Sequence, residues 1–91
     1  MTHAIVLIQA ERSALADLGA QLADVPGVAE VYSITGEWDY AAILRLREQD
    51  ELAHVITGRL SQLLGITKTQ TLVAFEVYSR HDLDALFSLG E

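Results

Sequence analysis

The sequence predicts an α+β fold with the element order β-α-β-β-α-β, the ferredoxin-like arrangement, and three observations carry that expectation. Four apolar runs of strand character alternate with two stretches of helical periodicity in that order. The two halves repeat faintly. A shift of 38 positions (65 − 27 = 38) lays Gly65 on Gly27, Ile66 on Val28, Leu60 on Leu22 and Ile56 on Leu18. The same shift lays Ala42, Leu44 and Leu46 on Ala4, Val6 and Ile8. Two β-α-β halves related in this way form the split β-α-β unit. Its parallel neighbours are expected to be joined by right-handed crossovers. Third, 91 residues make one domain, 1–91, yet 51% of them are apolar, a surplus over what so small a core absorbs.

His3 to Gln9 is aliphatic on both faces and reads as the first strand. From Glu11 to Asp24 the leucines at 15, 18 and 22 fall at helical spacing, and Val25-Pro26-Gly27 ends that helix. Val28 to Thr35 and Tyr40 to Arg47 are the second and third strands. Asp50 is placed to cap the second helix, whose stripe is Leu52, Val55, Ile56, Leu60, Leu63 and Leu64, with Gly65 as its C-terminal cap. Ile66 to Ser79 reads as a long fourth strand with Thr67, Thr69, Thr71, Val73, Phe75 and Val77 on one face. Asp82 then caps a short terminal helix, about 82–89, carrying Leu83, Leu86 and Phe87.

Helices cover one face of such a sheet. The repeat assigns Ala4, Val6, Ile8, Ala42, Leu44 and Leu46 to that face. Ile5, Leu7, Ala41 and Ile43 are left on the other, with Arg45 and Arg47 toward one end. An apolar sheet face of that size is not left in water. A homodimer packed through the open faces is expected, with those four residues as its interface.

Six basic and thirteen acidic residues give a net charge of −7, which repels phosphate backbones, so direct nucleic-acid binding is not expected. No run of about 18 apolar residues suits a membrane span. There is no cysteine, and the N-terminus enters a strand without a basic leader, so a cytoplasmic protein is expected. His3, His54 and His81 lie on three different elements and lack ligand-spaced neighbours, so no metal is expected. The serines lack a nucleophile motif, and no glycine-rich phosphate loop or other cofactor signature is present.

The densest chemistry lies in Ser33-Ile34-Thr35-Gly36-Glu37-Trp38-Asp39-Tyr40, between the second and third strands. Gly36 suits a tight connection. Trp38 is the sole tryptophan, and Asp39 sets a carboxylate at the mouth of the third strand. The stretch reads either as a hairpin with locally buried aromatics or as a small-ligand or subunit contact. Glu37 and Asp39 read as a solvated turn or as a carboxylate pair. Thr67, Thr69 and Thr71 are either ordinary strand residues or hydroxyl donors to a ligand.

Val25-Pro26-Gly27-Val28, the stretch Val31 to Tyr40 and Leu64-Gly65-Ile66-Thr67-Lys68-Thr69-Gln70-Thr71 together resemble the effector-binding (RAM) domain of the Lrp/AsnC family. The resemblance runs from the first strand to about Ser79. It implies a sheet-to-sheet dimer, a dimeric α+β barrel, that assembles into higher oligomers and binds amino acids between dimers near the glycine turn. Carried onto this chain, the ligand site would comprise Gly36, Trp38, Asp39, Tyr40, Thr69 and Thr71. Asp39 would hold the ammonium or order the loop. Family regulators carry an N-terminal helix-turn-helix, whereas residue 3 here already lies in the first strand, so a stand-alone effector module is expected. It would be non-enzymatic and would act by co-assembly with a helix-turn-helix relative. The alternatives are a small dimeric α+β-barrel enzyme of monooxygenase type and a purely structural oligomerisation domain.

Overall fold

A computed structural model describes residues 1–78 and residue 80. Strand β1 spans Thr2–Ala10, and a single 3₁₀ turn leads into helix α1, Leu15–Ala23. Strands β2, Val28–Ser33, and β3, Tyr40–Leu46, follow. Helix α2, Gln49–Ala53, runs on as a π-helical segment, His54–Arg59, and a 3₁₀ turn, Leu60–Gln62, before β4, Ile66–Ala74. The sheet order is β2-β3-β1-β4. This is the ferredoxin-like α+β fold. The terminal helix expected near 82–89 lies outside the described residues, as does Ser79.

One expectation about the sheet is corrected. No two neighbouring described strands run parallel, because β1 pairs antiparallel with both β3 and β4, and β3 pairs antiparallel with β2. The parallel strands β1 and β2 are separated by β3. Each β-α-β crossover therefore skips a strand.

Alternation sorts the side chains as expected on the helix side. Ala4, Val6, Ile8, Ala42, Leu44 and Leu46 are buried with Leu18, Leu22, Leu52, Val55 and Leu60 in one core. No polar or charged side chain is buried among the described residues. The repeat is visible in the backbone too: Gly27 and Gly65 have φ of 98° and 96°. Gly65 has a second reason to be glycine, because a Cβ there would stand 2.3 Å from Ala14 Cβ. Gly65→Ala is expected to cost roughly 1–3 kcal/mol in backbone strain and a comparable amount in overpacking. At Gly27 the obstructing atom is the movable Leu46 Cδ2, at 2.6 Å. Thermal melts should therefore show the larger loss for Gly65→Ala, and equal melting points would refute this ranking.

The second helix departs from its predicted form at three points. Its N-cap is Glu48, and Asp50 lies inside the first turn, where its charge favours the helix dipole without a capping bond. The wider π segment shifts the phase of the apolar stripe, and the helix stops at Gln62. Leu64 consequently falls in the following turn, 87% exposed, and Gly65 shapes that turn rather than capping the helix directly.

Strand β4 ends at Ala74, which pairs with His3 near the start of β1, so Phe75 and Val77 lie beyond the strand. A register shift at Gln9 and Ala10 sets Lys68 opposite Gln9 and Ile66 opposite Ala10. Thr67 is the extra residue of this bulge, without a partner in the β1 register. Strand β2 stops at Ser33 and β3 at Leu46, each shorter than expected because the flanking residues belong to loops.

Candidate functional site

The connection from β2 to β3 is a braced loop. Its ends are closed by Ile34 N–H donating to Asp39 C=O at 3.0 Å, and Asp39 N–H donates to Ile8 C=O at 2.9 Å. Asp39 Oδ2 accepts the N–H of Ala10 at 2.8 Å. Gln9 Nε2 donates to Glu37 C=O at 2.8 Å. The end of β1 thus holds the loop through three hydrogen bonds. Gly36, at φ 101° with open space around its Cα, forms the exposed tip. Trp38 lies half-buried beneath the ammonium of Lys68, whose Nζ is 5.4 Å from the ring centroid. Such a contact is worth about 0.5–1 kcal/mol at an exposed site.

The remaining candidates are placed differently. Tyr40 is only 7% exposed, and its hydroxyl donates to Leu15 C=O at 2.5 Å. Its ring packs against Gly19, where a Cβ would come within 3.2 Å. Thr69 and Thr71 pair with Ile8 and Val6 and so lie on the helix side of β4. Gly36, Trp38 and Asp39 therefore form one cluster, while Tyr40 belongs to the core and the two threonines to the edge strand. Lys68 and Gln9, which brace the cluster, carry no motif. Only the strand register, which sets them opposite each other, points to them.

Beside β4 lies a groove of about 240 Å³ between that strand and the π and 3₁₀ segments. Ile56, Leu60, Leu63 and Ile66 make its apolar wall, and Ser61, Thr67, Lys68 and Thr69 its polar edge. Among the described residues no cluster of metal-ligating side chains occurs.

On the opposite side of the sheet, Ile5 pairs with Ile43 and Leu72, and Leu7 pairs with Ala41 and Gln70. Ile5 is 37% and Leu72 43% exposed. Tyr32, opposite Ala41, extends the patch, and its hydroxyl donates to Glu30 Oε2. That carboxylate raises the Tyr32 phenol above its usual range. Arg45 reaches the other oxygen of Glu30 at 3.5 Å, a solvent-exposed pair of small energetic value. No helix among the described residues is long and apolar enough to cross a membrane.

The described residues thus form a βαββαβ sheet with helices on one face, an apolar opposite face and a braced glycine loop. Residues 3–83 match the Lrp/AsnC ligand binding domain, and the chain belongs to that family. An uncharacterised HTH-type transcriptional regulator of Pyrococcus abyssi is 36% identical over 56 residues, covering 62% of this chain and 37% of that protein. The chain thus matches well under half the length of that relative. A crystal structure from Thermus thermophilus superposes with a TM-score of 0.82 at 42% identity, covering 88% of this chain and all of that one. A Neisseria meningitidis transcriptional regulator, solved as a complex with L-Met, has the same fold (TM-score 0.77, 18% identity, 87% of this chain and 53% of that one).

Proposed function

We propose that this chain is a non-enzymatic effector module of Lrp/AsnC type that binds a free amino acid at the Gly36–Asp39 loop. The reading takes the chain as a single domain that dimerises through its open sheet faces and assembles further. It influences transcription regulation or amino-acid metabolism by co-assembling with a helix-turn-helix relative. The observation that carries it is the braced loop inside a chain of this family. Asp39 engages one carboxylate oxygen in ordering the loop, and the polar tip at Gly36 stays open. A zwitterionic ligand needs an acceptor for its ammonium and donors for its carboxylate, since either end buried without partners carries a prohibitive desolvation cost. Asp39 and loop carbonyls supply the first, loop N–H groups the second. Tyr40, Thr69 and Thr71 border the same pocket, which a neighbouring dimer closes; Tyr40 and Thr69 flank Ile8 on one face of the sheet.

The core, apolar throughout among the described residues, supports a binding role over an enzyme with an inner catalytic cavity. The apolar sheet face, which no described helix covers, favours the second reading, a purely structural oligomerisation domain. Thermal melts and Trp38 emission in a mixture of the twenty amino acids separate the two. A ligand that binds the native state raises the melting point, by about 2.7 kcal/mol of stability at one hundred times its Kd. No change in melting point or emission overturns the amino-acid reading and leaves the structural one.

A further inference from the structure

We propose that a cavity at the far end of the sheet from the glycine loop binds a nucleoside monophosphate, with Arg59 and His54 holding the phosphate. The cavity measures about 340 Å³ and lies between the turn from α1 to β2 and the helical stretch that begins with α2. That volume falls within the range of small-ligand pockets. Leu46, on its floor, pairs with Thr2, whereas Tyr40 at the loop end of β3 pairs with Ile8. The strand between them spans roughly 20 Å. The inference is therefore independent of the amino-acid reading at Gly36–Asp39.

The π segment, His54–Arg59, sets the charges of this cavity. In an α-helix, residues five apart point about 140° away from each other. A π-helix bonds residues five apart and so brings them toward one face. His54 and Arg59 have that spacing, and both line the cavity. Among the described residues no carboxylate lies within ion-pair distance of Arg59. The hydroxyls of Thr57 and Ser61, by contrast, are already engaged with the carbonyls of Ala53 and Thr57. A guanidinium fork and an imidazole N–H one turn apart approach an anion from two directions. A phosphate, with three acceptor oxygens, uses both, whereas a planar carboxylate is satisfied by the arginine alone.

The floor selects what carries the phosphate. Leu46 and Val55 belong to the core and line the cavity from below, and Pro26 adds an exposed ring at its side. Gly27 has no side chain to fill the space, since a Cβ there would stand 2.6 Å from Leu46 Cδ2 and 3.4 Å from Val55 Cγ2. An apolar floor rimmed by a few polar groups suits a flat heterocycle. Glu51, three residues before His54 and so one helical turn away, supplies an acceptor for a ribose hydroxyl or a base amino group. A nucleoside monophosphate joins an anion, a flat ring and hydrogen-bond donors in one molecule.

The test titrates adenosine monophosphate into the full chain with labelled leucine and valine methyl groups, alongside adenosine and inorganic phosphate. Saturable shifts are expected at the methyls of Leu46 and Val55. Adenosine and phosphate should each bind at least about tenfold more weakly, because each lacks one half of the contacts. Arg59→Gln should weaken the monophosphate at least about tenfold without weakening adenosine. Arg59 is exposed, so this variant keeps the wild-type fold. Equal binding of adenosine and its monophosphate, or an undiminished Arg59→Gln, would overturn the proposal. Inorganic phosphate binding as tightly as the monophosphate would do the same, since the floor would then contribute nothing. So would shifts confined to Leu7 and Leu72 on the open face, or no saturable shift at all.

Discussion

Ile43→Asp is expected to turn the protein into a folded monomer. Ile43 sits at the centre of the open face, directly opposite Ile5, and its side chain contributes nothing to the core on the other side of the sheet. The substitution therefore leaves the helix-packed core intact. In the sheet-face dimer proposed above, two copies of the introduced carboxylate would enter an apolar interface without partners. Burying an unpaired charge costs several kcal/mol. Each ~1.4 kcal/mol is a factor of ten in Kd, so even a partial cost from two copies separates the dimer at micromolar concentration. Sedimentation should report a wild-type dimer or larger species and a variant monomer with unchanged circular dichroism. A wild-type monomer at that concentration would refute the interface.

Asp39→Ala is expected to abolish amino-acid binding while leaving the fold and the sheet-face dimer in place. The carboxylate that would meet an ammonium also receives Ala10 N–H, so its removal both deletes a charge and loosens the loop from β1. Leaving that half-buried N–H without an acceptor costs about 1–3 kcal/mol. Asp39→Asn separates the two effects, because an amide oxygen can still accept from Ala10 but carries no charge. If Asp39→Asn binds amino acids as well as the wild type, the residue acts only as a brace. If Asp39→Ala alters assembly alone, the loop is a subunit contact.

The sequence made the sheet legible because β-strand alternation is a local signal with a global meaning. Even-numbered residues of β1 and β3 fill the core, and the 38-residue repeat correctly paired Gly27 with Gly65. That parity also contains a lesson about the site. Tyr40 has the same parity as Ala42, Leu44 and Leu46, so its burial could have been read from the strand that it begins. The π segment was not legible, since a single wide turn leaves the same leucines and isoleucines in place and only slips their phase. Nor were the loop's braces. Gln9, Lys68 and Ala10 lie far from residues 37–39 in sequence, and only the sheet register brings them together. The groove arises from the same register, at a bulge that no residue type announces.

The sheet order also governs how the chain is made. Strand β1 leaves the ribosome before the other described strands, yet one of its two partners, β4, emerges after them. The β1–β3 pair can form once Leu46 is free, but the other edge of β1 then waits for residues 66–74. During that interval an aliphatic strand offers unpaired N–H and C=O groups to any neighbouring nascent chain, the exposure that mature sheets guard against. Pairings this distant in sequence are slow to close. A ribosome that stalls before Ile66 would release three strands with that edge still bare, a species suited to aggregation and proteolysis. Strand β4 is therefore both the rim of the groove in the finished protein and the cover that ends this vulnerable stage of its synthesis.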